Sequence, residues 1–103
     1  MGTFIDESLE IAAEKFKAFG FSQVQIEQLL SSAKRDLEAE VGKLEELLRA
    51  DSPDTAMINQ SLHALKGLLY NMGHTEAGDK MAELRNDAGR EDQIVKIRET
   101  LHL

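Results

Sequence analysis

The chain contains no cysteine and no tryptophan, and it has a single proline and a single tyrosine among its 103 residues. The absence of cysteine excludes disulfide bonds, thiol catalysis and cysteine-ligated metal. Because large aromatic residues are scarce, the core must be built mainly from Leu, Ile, Met and Ala, with four Phe. The scarcity of proline leaves long runs of Ala, Leu, Glu, Lys and Gln uninterrupted, and such runs favour helix.

Two further absences exclude whole classes of partner. The net charge is −7 at neutral pH, so the chain lacks the basic surface that nucleic-acid binding requires. The longest apolar run is far shorter than a membrane span, and the first residues lack the basic and apolar segments of a signal peptide. We therefore expect a cytoplasmic protein that contacts neither nucleic acid nor membrane, and whose acidity serves solubility.

The spacing of apolar residues predicts five helices within one domain spanning residues 1–103. Their expected ranges are residues 4–19, 22–50, 53–72, 75–86 and 90–102. Because the connections are short, sequential helices should be antiparallel neighbours. The predicted fold is all-α: an antiparallel up-down four-helix bundle with an additional N-terminal helix.

Helix boundaries are indicated by capping residues. Ser22 and Gln25 form a capping-box pattern at the start of the second helix. Ser52 as N-cap and Pro53 at the first helical position predict the start of the third. Gly73 is expected to end the third helix.

The third helix carries an apolar stripe that fixes its rotation. Spacings of four and three residues place five residues on one face: Ile58, Leu62, Leu65, Leu69 and Met72. His63 is displaced from Leu62 by about 100° around the helix axis, which turns it off the buried face. A second stripe shares the side of His63 and comprises Asn59, His63, Lys66, Gly67 and Tyr70.

Gly67 makes this second stripe unusual. A glycine inside a helix costs about 1 kcal/mol relative to Ala, and Gly67 lies one turn after His63. Its missing side chain would open access to the imidazole for another protein. A neutral imidazole is a nucleophile near neutral pH, and Lys66 could offset the charge of a phosphoryl group. These residue types predict phosphoryl transfer through His63.

No nucleotide-binding element accompanies this histidine. Gly67 and Gly73 do not match the phosphate-binding pattern G-x-x-x-x-G-K-S/T. We therefore expect a phosphotransfer intermediate rather than an enzyme. Such a domain would receive a phosphoryl group from one protein and return it to another.

The segment HALKGLLYNMG, from His63 to Gly73, resembles the H-x-L-K-G motif and following glycine of histidine phosphotransfer (HPt) domains of bacterial two-component phosphorelays. The likeness extends more loosely over residues 22–86. It implies that His63 is phosphorylated, that Lys66 steadies the phosphoryl group and that Gly67 leaves room for the partner. We expect additional partner contacts from Asn59, Leu68 and Tyr70.

The resemblance also implies the partners, which would be response-regulator receiver domains and a sensor histidine kinase. The receiver domain would bring the phosphorylated aspartate and its Mg²⁺, so this domain would need no cofactor or metal of its own. We expect a monomer that docks through an apolar patch near His63.

Other interpretations stay open. One is an HPt-like helical adaptor that is not phosphorylated, although a bare adaptor would gain helix stability by replacing Gly67. Another is a metal-binding bundle that uses its three histidines, although no pair of them has ligand spacing on an inward face. Those histidines are His63, His74 and His102. The chain could also be an excised piece of a larger kinase.

Overall fold

The computed structural model of the chain describes residues 2–103. It contains five helices: α1 (Gly2–Ala18), α2 (Gln23–Arg49), α3 (Thr55–Asn71), α4 (Thr75–Asn86) and α5 (Gln93–Leu101). No strand occurs within residues 2–103, so the predicted all-α class and the number of helices are confirmed. In that same part of the chain, no helix combines the length and the apolar character needed to cross a bilayer.

One apolar core joins all five helices. α3 packs against both α2 and α4, while α1 packs against α2 and α5 against α4. The predicted α3 stripe from Ile58 to Met72 is buried at every position, which confirms the rotation inferred from its spacing. Phe19, the last residue of the predicted first helix, continues the three-residue spacing of the apolar residue Phe16 but is 78% exposed. It lies beyond the end of α1, where the left-handed backbone of Gly20 takes the chain out of the helical register.

Local backbone and side-chain hydrogen bonds define the start of α2 and the end of α3. The Ser22 hydroxyl accepts from the backbone N–H of Gln25 at 3.2 Å, and the Gln25 side chain accepts from the backbone N–H of Ser22 at 2.9 Å. This confirms the predicted capping box. At the end of α3, Gly73 adopts φ +81°, a conformation that glycine tolerates. The turn lets the His74 N–H donate to the Leu69 carbonyl at 2.9 Å.

The predicted start of α3 is wrong by two residues. The N-cap is Asp54, not Ser52, and Pro53 lies in the preceding loop rather than in the first helical position. One carboxylate oxygen of Asp54 accepts from the backbone N–H of Met57 at 3.2 Å. A charged carboxylate makes a stronger bond to an orphan amide than a hydroxyl does, which explains why Asp54 prevails over Ser52.

The predicted start of α5 is also too early. Residues 87–92 form turns in which Arg90 N–H donates to the Asp87 carbonyl at 2.9 Å and Gly89 has φ +81°. The helix begins at Gln93, which is buried. Its side-chain amide donates to the Leu84 carbonyl at 2.9 Å. α5 therefore begins only at the residue where the chain returns to the core.

The N-cap assignment predicts different consequences for two neighbouring substitutions. We expect Asp54→Ala to lower the free energy of unfolding by about 1 kcal/mol, because one amide of α3 loses its acceptor. Ser52→Ala, the matched control, should change it by less than about 0.5 kcal/mol. Urea denaturation followed by circular dichroism measures both. Equal losses for the two variants would contradict the assignment.

Candidate functional site

The candidate site lies on the solvent side of α3. Because the core stripe takes Leu62 and Leu65 inward, His63 is exposed and Lys66 is half-buried one turn later. Gly67 is exposed beside them. The imidazole is therefore accessible from outside the molecule, on a helix whose rotation is fixed by its buried face.

Arg85 on α4 contacts the imidazole, a residue that sequence reasoning missed. Its guanidinium Nη1 lies 3.3 Å from Nδ1 of His63. Arg85 is half-buried, and its Nε is buried. A signal was available: Arg85 follows the core residue Leu84 just as His63 follows Leu62, so both have the same offset from their buried stripes. The packing of α3 on α4 was needed to connect them.

Gly67 lines a groove of about 550 Å³ between α2 and α3. The small residues Ala39 and Ala64 also line it, together with Leu68, Asn71 and the charged residues Asp36, Glu40 and Lys43. A Cβ atom built at Gly67 would meet nothing within 4 Å. The fold itself therefore does not require a glycine at this position.

The wall of this groove is fixed by a polar contact between α2 and α3. Ser61 is buried, and its hydroxyl donates to Oε2 of Glu40 at 2.9 Å. A buried hydroxyl needs such a partner. This bond holds α2 against α3 about two turns before Gly67. The groove therefore lies between two helices that are joined by a side-chain hydrogen bond.

Tyr70 is engaged within the molecule. Its hydroxyl donates to Oδ1 of Asp79 at 2.6 Å, and its ring lies on the α4 backbone at Gly78. A Cβ built at Gly78 would lie 2.4 Å from the ring. The hydrogen bond to Asp79, then partial burial and the charge of Asp79, raise the pKa of Tyr70 above its usual value. Tyr70 as a residue is still 40% exposed.

The other predicted site residues lie on two different sides of α3. Leu68 is half-buried and lines the α2–α3 groove with Gly67. Asn59 is half-buried, and its side-chain oxygen accepts from Gln93 of α5 at 3.1 Å. The predicted stripe is therefore divided. Gly67 lies with Leu68 on the side of α3 that faces α2, whereas Asn59, His63 and Tyr70 contact residues of α4 and α5.

His74 is a buried polar residue that the sequence did not reveal. It is the N-cap of α4, and its Nδ1 lies 2.9 Å from the Ser8 hydroxyl of α1. Its ring also lies near Phe4, with centroids 6.5 Å apart. Within residues 2–103, no three His, Asp or Glu side chains form a group that could hold a metal ion. His74 thus serves to join α1 to the start of α4.

Comparison with known proteins gives no match. No protein-family model, curated protein sequence or solved structure matches the chain.

Two helical glycines, Gly67 of α3 and Gly78 of α4, should respond oppositely to alanine. Gly67→Ala should raise the free energy of unfolding by up to about 1 kcal/mol, because the helix gains propensity and the new methyl group meets nothing. Gly42→Ala is the matched control, since a Cβ there also meets nothing. Gly78→Ala should instead destabilise, because its methyl group collides with Tyr70.

Urea denaturation measures all three variants. Gly78→Ala should cost less stability in a Tyr70→Ala background than in the wild type, since the colliding ring is gone. A loss of stability for Gly67→Ala would contradict the conclusion that the fold does not need this glycine.

Proposed function

We propose that this chain is a histidine-containing phosphotransfer protein of a phosphorelay. It would accept a phosphoryl group on His63 from a receiver-domain aspartate or a kinase and pass it to a response-regulator aspartate. The proposal includes an antiparallel up-down arrangement of four helices with α1 as the additional N-terminal helix, and a cytoplasmic location. The resemblance of residues 63–73 to the HPt motif and the exposure of His63 support it.

The observation that carries the proposal is the unfilled space at Gly67. Glycine costs the helix about 1 kcal/mol there relative to Ala, and no contact within residues 2–103 requires a glycine at this position. The space lies one turn from an exposed histidine and beside a groove floored by Ala39 and Ala64. Room left on the outside of a helix next to a nucleophile is what a protein partner needs to reach that nucleophile.

The chemistry is a direct transfer between two proteins. The lone pair of an unprotonated ring nitrogen of His63 attacks phosphorus. The bond from phosphorus to the partner's aspartyl oxygen breaks, and the carboxylate leaves with the electron pair. Lys66 donates to the phosphoryl oxygens, whose charge it offsets. The reverse sequence returns the phosphoryl group to a second aspartate, and Mg²⁺ belongs to the partner.

The groove supplies a docking surface for that partner. Receiver active sites are acidic, and this chain has a net charge of −7, so long-range attraction does not bring the two together. The affinity must come from short-range contact, with Leu68 and the small groove residues meeting an apolar helix face of the partner. Lys66 and Arg85 then supply local positive charge at the point of transfer.

Phosphorylation can be tested with every receiver domain encoded in the same genome. Each is phosphorylated, purified and incubated with the chain, and we expect at least one to transfer acid-labile, base-stable phosphate. His63→Gln should take up none, while His102→Gln, the control at an exposed histidine of the C-terminal end, should label normally. Label on the His63→Gln variant would refute the assignment. If no receiver labels the wild-type chain, the alternative of a non-phosphorylated adaptor is favoured.

The role of Gly67 is tested by a bulky substitution. Gly67→Leu should slow transfer by on the order of 10- to 100-fold, because the partner can no longer seat its aspartate against His63. Glu99→Leu is the control, since Glu99 lies in a separate cleft between α4 and α5. Rates come from quenched time courses, and circular dichroism confirms that both variants are folded. Unchanged transfer rates for Gly67→Leu would contradict the proposal that Gly67 gives the partner access to His63.

A further inference from the structure

The contact between Arg85 and His63 restricts the proton on the imidazole. A guanidinium group donates hydrogen bonds, cannot accept them and does not lose its proton in proteins. With Nη1 of Arg85 at 3.3 Å, Nδ1 of His63 must therefore be the acceptor. A neutral imidazole has one donor nitrogen and one acceptor nitrogen. The proton consequently lies on Nε2, the nitrogen that faces away from Arg85.

This tautomer is unsuited to attack from the outer nitrogen. The in-plane electron pair of Nε2 is committed to its N–H bond, and the free pair of Nδ1 is occupied by Arg85. Neither nitrogen is available to phosphorus while the contact persists. Attack by Nε2 requires the proton to be on Nδ1, where an N–H group would face the N–H group of Arg85.

Arg85 also has unused hydrogen-bonding capacity. Its Nε is buried and finds no acceptor among residues 2–103, although buried polar groups in folded proteins are nearly always paired. A guanidinium with an idle donor is suited to a planar anion that can accept two bonds at once. A carboxylate fits this requirement, and the imidazole nitrogen, a single acceptor, does not.

We propose that Arg85 is a positioning residue that holds the proton of His63 on Nε2 and releases it when a partner's carboxylates draw the guanidinium away. The inference rests on the proposed phosphotransfer function and adds its regulation. Once Arg85 is withdrawn, the proton leaves Nε2 for solvent and another binds Nδ1. Nε2 then attacks phosphorus and the aspartyl carboxylate leaves. The free domain is thereby kept unreactive until an acidic partner is bound.

The tautomer of His63 is measured by two-bond ¹H–¹⁵N correlation spectra of the ¹⁵N-labelled chain at about pH 9, where imidazole is neutral. The His63 signals are assigned by their absence from His63→Gln. We expect the Nε2–H form in the wild type and in Arg85→Lys, which is also only a donor. Arg85→Glu should shift the ratio towards Nδ1–H by about fivefold or more, because a carboxylate only accepts.

Arg90→Glu is the matched control, because Arg90 is an exposed arginine in the turn after α4 and its replacement should leave the tautomer unchanged. His74 and His102 serve as internal references in every spectrum. A wild-type Nδ1–H form, or the same form in the wild type and Arg85→Glu, would overturn the inference. This measurement needs no phosphoryl transfer, so it stays informative if labelling of His63 fails.

Release by a partner is tested with an unphosphorylated, Mg²⁺-loaded receiver domain that labels His63 in its phosphorylated form. On binding, seen as shifts of backbone amides around Gly67, the His63 signals should move towards the Nδ1–H form. A bound complex that keeps the Nε2–H form overturns the release step. The absence of any receiver that binds or labels would count against the proposed function rather than against the tautomer assignment.

Discussion

The burial of one apolar stripe on α3 is the constraint on which the rest of the structure depends. α3 contacts both α2 and α4, and Ile58, Leu62, Leu65, Leu69 and Met72 occupy the core along its whole length. Fully burying each of these side chains is worth about 1.5–3 kcal/mol, so rotating the helix would forfeit several of them together. The outward position of His63 is a consequence of that burial and needs no further support.

The same rotation gives α3 two sides that differ in what they contact. On the side of α2, small residues leave a groove whose wall is braced by the bond from Ser61 to Glu40. On the side of α4, Arg85 meets His63, and Tyr70 lies against the backbone at Gly78. The glycines of the two sides serve opposite purposes. Gly78 is filled from within the molecule by an aromatic ring, whereas the space at Gly67 is left open to the outside.

The sequence was sufficient for features that depend on one helix at a time. The buried stripe, the capping box at Ser22 and the turn at Gly73 follow from spacing and local backbone chemistry, and all three are present. It was insufficient where two local solutions compete, as at the start of α3. Ser52 and Asp54 are both good caps, and the stronger acceptor prevails.

Contacts between helices could not be predicted from the sequence. Arg85 and His63 are 22 residues apart, and nothing in the spacing of either helix says that their side chains meet. Gly78 lies in the first turns of α4, where a glycine weakens an isolated helix. The helix is intact from Thr75, because the missing side chain admits the Tyr70 ring.

The pairing of Ser8 with His74 links the beginning of the chain to the junction of α3 and α4. The two residues are separated by 66 positions, and closing so long a segment carries an entropic cost that nearer contacts avoid. α1 is thereby tied both to its sequence neighbour α2 and to the distant junction of α3 and α4. When it lifts away, the His74 ring loses its hydroxyl partner at the junction of α3 and α4. Fraying at the beginning of the chain would thus remove a contact that lies within one turn of the end of the helix that carries His63.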